Sequence, residues 1–124
     1  MGAERRGGRG WEPDQLAREV MEAIADRKGS DIVMLDLRAV SVLADFFVIA
    51  SGTSQRQMRA ISDAILERCR AGRSKPLRTE GTAESGWMIL DYGNVIVHLF
   101  APSHREYFDL ENLWSDASVV VRMQ

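Results

Sequence analysis

The sequence predicts a single α/β domain, in which about five strands form one mixed sheet with helices packed on it. Two observations support this prediction. The chain has 124 residues, 45% of them hydrophobic, which is enough to bury a core without disulfides or metal ions. Helix-like and strand-like segments alternate along it, and no repeat or linker divides it. We expect residues 13–124 to form this domain and residues 1–12 to be a flexible, Gly/Arg-rich tail.

The first half of the predicted domain contains two helices and two strands. Pro13 suits the first position of a helix, whose apolar face continues until Gly29 ends it. Strands are expected at 31–38 and 46–51, and the second is nearly all apolar, which is typical of a strand covered on both faces. The second helix has a capping-box pair at its start and a glycine near its end: Ser54, Gln57 and Gly72.

The second half begins with a short edge strand at 76–80, and a hairpin follows. Gly93 and Asn94 form its two-residue loop, because glycine in the first loop position favours a type II′ turn. The hairpin strands are expected at 87–92 and 95–100.

This hairpin has two different faces, because side chains alternate along a strand. One face is almost wholly apolar and is expected to belong to the core: Met88, Leu90, Tyr92, Val95, Val97 and Leu99. The other combines large rings with a carboxylate and an imidazole, and it is the first candidate for function: Trp87, Ile89, Asp91, Ile96, His98 and Phe100. The alternative is a second buried layer, in which His98 is hydrogen-bonded to Asp91 or to the backbone.

A third helix, rich in aromatic residues, is the second candidate for function. Ser103 and Glu106 have capping-box spacing, and we expect this helix to continue through about Leu113. Phe108 and Glu111 are expected beside a stripe on one helix face that can serve the core: Tyr107, Leu110 and Trp114. Aromatic rings that border solvent are typical of protein interfaces.

Charge is unevenly distributed, although the net charge is only −2. Residues 55–75 contain six basic side chains against two acidic ones, whereas residues 104–124 contain four acidic against two basic. Such segments are usually solvated helix faces. The alternative is a basic side that contacts nucleic acid and an acidic, aromatic side that binds a basic protein.

The sequence predicts no metal or cofactor site. Cys69 continues an apolar helical stripe, and the two histidines, His98 and His104, lie on other elements. No apolar segment is long enough to span a membrane, and residues 1–13 lack the apolar stretch of a signal peptide, so we expect a cytosolic protein.

The turn at 52–54 (GTS) leads from a strand into a helix, where small residues can hold a phosphate. Nucleotidyltransferases combine such a turn with two acids one residue apart on the next strand, which bind a catalytic metal ion. Here Glu80 and Asp91 are isolated. We therefore expect a nucleotidyltransferase-like fold without the catalytic acids, and the alternative is a nucleotidyltransferase-like or phosphate-binding enzyme.

Five blocks, in this order, resemble the Iojap family: 31–37 (DIVMLDL), 44–54 (ADFFVIASGTS), Glu80-Gly81, 86–100 (GWMILDYGNVIVHLF) and 105–114 (REYFDLENLW). The resemblance implies a protein without enzymatic activity that binds the large ribosomal subunit through its protein L-fourteen. It would thereby block joining of the small subunit and repress translation when nutrients are scarce. A homodimer in the free state and a secondary contact with ribosomal RNA are also expected.

The resemblance also implies the residues that contact the partner: Trp87, Asp91, His98, Tyr107, Leu110, Glu111 and Trp114. The family often has a second tyrosine where this chain has Phe108, so this chain lacks one hydroxyl group at that position. We nevertheless include Phe108 in the predicted surface. The last seven residues and the Gly/Arg-rich tail inherit no role.

Overall fold

The computed structural model of the protein describes residues 10–124 and confirms the α/β fold. The elements in chain order are α1 (Pro13–Asp26), β1 (Ser30–Asp36), β2 (Phe46–Ser51), α2 (Gln55–Ala71), β3 (Arg78–Glu80), β4 (Trp87–Asp91), β5 (Val95–Phe100), α3 (Pro102–Phe108), α4 (Leu110–Leu113) and β6 (Ser118–Met123). Most of the tail expected at 1–12 lies outside the described residues. Within its last three residues, Trp11 packs against Gly72 and the core.

The strands form one mixed sheet in the order β3-β4-β5-β2-β1-β6. β2 and β5 are parallel, and the other neighbouring strands are antiparallel. The sixth strand, β6, is additional to the five expected. Its three consecutive valines favour a strand, but only pairing with the distant β1 gives it a place in the sheet, with Asp36 opposite Ser118.

Two apolar clusters lie on opposite faces of this sheet. On one face, α1 and α2 cover a large cluster that includes Val48, Val97 and Cys69. On the other face, α4 covers a smaller cluster that includes Phe47, Ile49 and Phe100. Every residue of β2 is buried between the two, as its apolar sequence predicts.

The predicted third helix is in fact two short helices. α3 begins after Ala101, with Pro102 in its first turn, and no side chain caps it, so the predicted capping role of Ser103 is wrong. Asp109 then adopts a left-handed conformation, with φ of 48° and ψ of 55°, which ends α3 before α4 begins. The side chains on either side of Asp109 therefore do not share the continuous helical stripe that their spacing predicts.

Gln57 joins the start of α2 to the end of α1. The Ser54 hydroxyl accepts the Gln57 backbone N–H at 3.0 Å, as expected for a capping box. The Gln57 side-chain oxygen accepts the Thr53 N–H at 2.7 Å, one residue before the expected position. Its side-chain nitrogen donates to the carbonyl oxygens of Arg27 (3.1 Å) and Lys28 (2.9 Å).

Replacing this side chain tests the link between the helices. Gln57→Ala removes the acceptor of Thr53 and the donor to two carbonyl groups, so we expect it to lower the free energy of unfolding by about 1–2 kcal/mol. Urea denaturation followed by circular dichroism measures this change. Gln55→Ala is the matched control, because Gln55 is exposed in the same helical turn. An equal loss in both variants would contradict the assignment.

Candidate partner-binding surface

The β4–β5 hairpin has the predicted register. Trp87 lies opposite Phe100, and Ile89 lies opposite His98. The backbone N–H of Tyr92 donates to Val95 at 2.9 Å, which closes the two-residue loop. The loop glycine adopts a φ of +89°, a value that residues with a side chain rarely adopt. The apolar face and the ring-bearing face are therefore separated as expected.

His98 is buried within the ring-bearing face, with 6% of its surface exposed. Its Nδ1 accepts a hydrogen bond from the indole Nε1–H of Trp87 at 3.1 Å, and its ring meets that of Phe47 edge-on at 4.7 Å. The expected alternative partner, Asp91, instead accepts the N–H of Gly93 at 2.7 Å. Because Nδ1 accepts, the proton of the neutral imidazole is on Nε2, which is buried and has no hydrogen-bond partner among the described residues.

Burial lowers the pKa of His98 from 6.5 to about 4. The cause is loss of hydration, which disfavours the charged imidazolium, and the carboxylate of Asp91 opposes this only in part. At neutral pH, His98 is therefore an uncharged acceptor that orients the Trp87 indole.

Four further aromatic rings extend the pair of Trp87 and His98 into a layer. Trp87 stacks on Phe100 at 4.9 Å between centroids and contacts Phe108 at 4.5 Å. On the far side of His98, Phe47 meets Trp114 edge-on at 5.6 Å. The rings thus connect the hairpin to both short helices and combine the two regions that the sequence singled out.

The short helices expose one ring of this region far more than the others. Tyr107 is 82% exposed and meets Phe108 edge-on at 5.1 Å, whereas Leu110 is only 8% exposed. The predicted stripe is therefore wrong in part: Tyr107 faces solvent, and Phe108 packs against Trp87. The left-handed Asp109 separates Tyr107 from Leu110 and causes this difference.

A groove beside the layer was not predicted. It encloses about 560 Å³ between the β3–β4 edge and α3, and its lining includes Trp87, Ile89, Phe108, Glu80 and His104. Ile89 was assigned to the correct face of the hairpin, but no sequence pattern brings Glu80 and His104 to the same place. Their approach depends on the long-range packing of α3 against the sheet.

Charge near the surface is partly neutralised within the protein. Arg105 forms a two-point ion pair with Glu111, with the closer contact at 2.8 Å. Asp91 pairs with Arg78 at 3.3 Å. Both carboxylates that were predicted to contact the partner, Asp91 and Glu111, are therefore paired within the protein. Asp109, in contrast, is exposed at the bend between the short helices.

The basic side chains of residues 55–75 are also partly paired. Arg59 binds Glu84 at 2.9 Å. Arg68 binds Glu19 at 2.8 Å and Asp26 at 3.1 Å. These contacts remove two of the six predicted charges from any basic surface.

The turn at 52–54 borders a cavity of about 330 Å³ at the carboxyl ends of β2 and β5. The hydroxyl groups of this turn have internal partners: Ser54 accepts from the backbone of Gln57, and Thr53 donates to its side chain at 3.0 Å. Glu84 and His104 also line the cavity. Within residues 10–124, no group of three histidine, cysteine or acidic side chains is arranged to hold a metal ion.

Cys69 is completely buried, as predicted, and burial raises the pKa of its thiol to about 11. Among the described helices, none is both long and apolar enough to cross a membrane.

The low pKa of His98 predicts a specific pH dependence of stability. Between pH 6.5 and 4, His98 becomes protonated in the unfolded chain but stays neutral in the folded chain. Acidification through this range therefore favours the unfolded state, and the free energy of unfolding falls by about 3 kcal/mol from its value above pH 6.5. Urea titrations at pH 7, 5.5 and 4 measure this loss. The variant His98→Leu should lose less stability on acidification than the wild type, and His104→Gln is the control. Identical pH profiles for the wild type and His98→Leu would be inconsistent with this burial.

Residues 11–124 match the family described as "Ribosomal silencing factor during starvation", abbreviated RsfS. The chain is 34% identical over 106 residues to the ribosomal silencing factor RsfS of Halalkalibacterium halodurans, covering 86% of this chain and 91% of that protein. It is 29% identical over 102 residues to the mouse protein named "Mitochondrial assembly of ribosomal large subunit protein 1", covering 77% of this chain and 43% of that protein.

The fold is similar to a crystal structure of a protein from Chromobacterium violaceum, with a TM-score of 0.81 and 30% sequence identity. That similarity covers 90% of this chain and 94% of the other. The family match covers both candidate regions, the hairpin and the short helices, together with the sheet that positions them. This protein therefore belongs to the RsfS family of ribosomal silencing factors.

Proposed function

We propose that this protein binds the large ribosomal subunit through its protein L-fourteen and thereby prevents the small subunit from joining. Translation then falls when nutrients are limiting. The proposed binding region comprises the predicted residues, which either contact the partner or hold the contacting rings in position: Trp87, Asp91, His98, Tyr107, Phe108, Leu110, Glu111 and Trp114.

The exposed Tyr107 ring, supported from below by packed aromatic rings, is the observation that carries this proposal. A tyrosine that is 82% exposed offers apolar area and a hydroxyl to a partner. Its contact with Phe108, and the contact of Phe108 with Trp87, restrict its motion before binding. A rigid aromatic anchor of this kind loses little entropy on binding and is typical of residues that dominate interface energies.

The acidic character of the short helices supports a basic partner. Glu106 and Asp109 are exposed beside Tyr107. Acids at the edge of an aromatic surface attract a basic protein and favour correct orientation on encounter. Blocking subunit joining then needs only affinity and bulk at the right place, so the proposed mechanism is non-enzymatic and takes place in the cytoplasm.

The names of the relatives support the ribosome as the target: one is a ribosomal silencing factor, and another is named for assembly of the large ribosomal subunit. A homodimer of the free protein and a secondary contact with ribosomal RNA are further parts of the proposal. Arg56, Arg70 and Lys75 are exposed and belong to the basic segment that would make the RNA contact.

Subunit joining measures the proposed function directly. Purified large and small subunits are mixed with increasing amounts of the protein and separated by sedimentation. We expect the fraction of joined ribosomes to fall as the protein saturates the large subunit. Unchanged joining at saturating protein would disprove the proposal. A clear calorimetric signal for nucleotide binding in the presence of magnesium would instead favour an enzyme.

The contribution of the exposed ring can be measured separately. Tyr107→Ala should weaken binding to large subunits at least tenfold, about 1.4 kcal/mol, because it removes the anchor without opening the core. Val42→Ala is the matched control. Val42 is fully exposed, but it lies in the loop before the first residue of β2 and outside the proposed surface. If folded Tyr107→Ala protein binds as tightly as the control, the surface is misplaced.

A further inference from the structure

The two short helices cannot maintain their own conformation. α3 has seven residues, none of them buried, and α4 has four. Isolated helices of this length are unstable in water. Asp109, which lies between them, also adopts a left-handed conformation that is infrequent for residues other than glycine. Contacts with the rest of the protein must therefore determine how Tyr107 and Phe108 are presented.

Arg105 makes such contacts from the middle of α3. Its Nη1 donates to the Ser51 hydroxyl at 2.9 Å and to the carbonyl oxygen of Asp31. Its Nη2 donates to Glu111 Oε2 at 2.8 Å, and its Nε to Oε1 at 3.4 Å. The side chain is only 11% exposed. One guanidinium thus connects α3 to the start of β1, the end of β2 and α4.

Glu111 is the α4 member of this network. Its side chain is 28% exposed, and each carboxylate oxygen accepts one N–H of the same guanidinium. A two-point arginine–carboxylate contact fixes both distance and orientation. Because Arg105 and Glu111 lie on opposite sides of Asp109, their contact also holds the bend between the helices. Neutralisation by Arg105 leaves Glu111 little net charge for a partner.

We propose that Arg105 and Glu111 form a clamp that positions the aromatic rings of the binding surface, and that Glu111 does not itself contact the partner. This inference rests on the proposed function, since that function makes the surface a ribosome-binding one. The clamp holds α3 at the angle at which Phe108 packs on Trp87 and Tyr107 faces solvent.

Coupling between two residues distinguishes positioning from direct contact. Affinity for purified large subunits is measured for the wild type, Tyr107→Ala, Glu111→Gln and the double variant. In a Glu111→Gln protein the tyrosine is no longer held in place. Tyr107→Ala should then lower the affinity less than about threefold, whereas it should lower the affinity of the wild type at least tenfold. Glu106→Gln is the matched control, because Glu106 is exposed on α3, and it should leave the Tyr107→Ala effect unchanged.

A full Tyr107→Ala effect in the Glu111→Gln background would overturn the clamp, because the two residues would then act independently. Arg105→Lys keeps the positive charge but loses the two-point contact of the guanidinium with Glu111. In this background too, Tyr107→Ala should lower the affinity less than about threefold. Thermal unfolding identifies any variant that fails to fold, and the other clamp variant then decides the outcome.

A measurement on the free protein separates the clamp from the proposed function. The rings of Phe108 and Trp87 are 4.5 Å apart, so nuclear Overhauser effects between them should be visible in the wild type and lost in Glu111→Gln. Persistence of these effects in Glu111→Gln would overturn the clamp. Failure of the wild type to bind large subunits would overturn only the proposed function.

Discussion

Burial of β2 on both faces is the constraint on which the arrangement of the molecule depends. All six residues of this strand are buried, and Phe47 and Ile49 point away from the face covered by α1 and α2. A strand without a polar face needs an apolar layer on each side. The long helices supply one layer. The second consists of two short helices and a group of aromatic rings, which leaves part of that face accessible.

The same rings therefore contribute to the core and to the surface. Phe100 is completely buried, Phe108 is 40% exposed, and Trp87 packs against both. Within this layer, the hydrogen bond from the Trp87 indole to His98 provides a buried polar contact. Such a contact restricts the ring to one orientation, because an unpaired indole N–H would be costly. The fold itself thus prepares the proposed binding surface before a partner arrives.

Local sequence patterns predict the parts of this structure that short-range geometry controls. The hairpin register follows from Gly93 and strict alternation, and the hydroxyl of Ser54 caps α2 as its spacing indicates. Features that depend on distant residues are not predictable in this way. His98 accepts a hydrogen bond from Trp87 and makes none with Asp91, and Arg105 donates to the carbonyl group of Asp31, 74 residues away. The bend at Asp109 likewise depends on packing, since the residue pattern around it is that of one continuous helix.

The pairing of β6 with β1 has a consequence for the order of folding. The strands β1 and β2 are close in the chain, whereas the paired Asp36 and Ser118 are more than 80 residues apart. Closing so long a loop costs more entropy than forming a short connection. β6 therefore joins a sheet whose centre already exists, and its largely exposed residues allow it to separate from β1 with little disruption of the core. When it does, the backbone edge of the buried, apolar β1 becomes open to pairing with other chains, so the last strand protects the folded protein against aggregation.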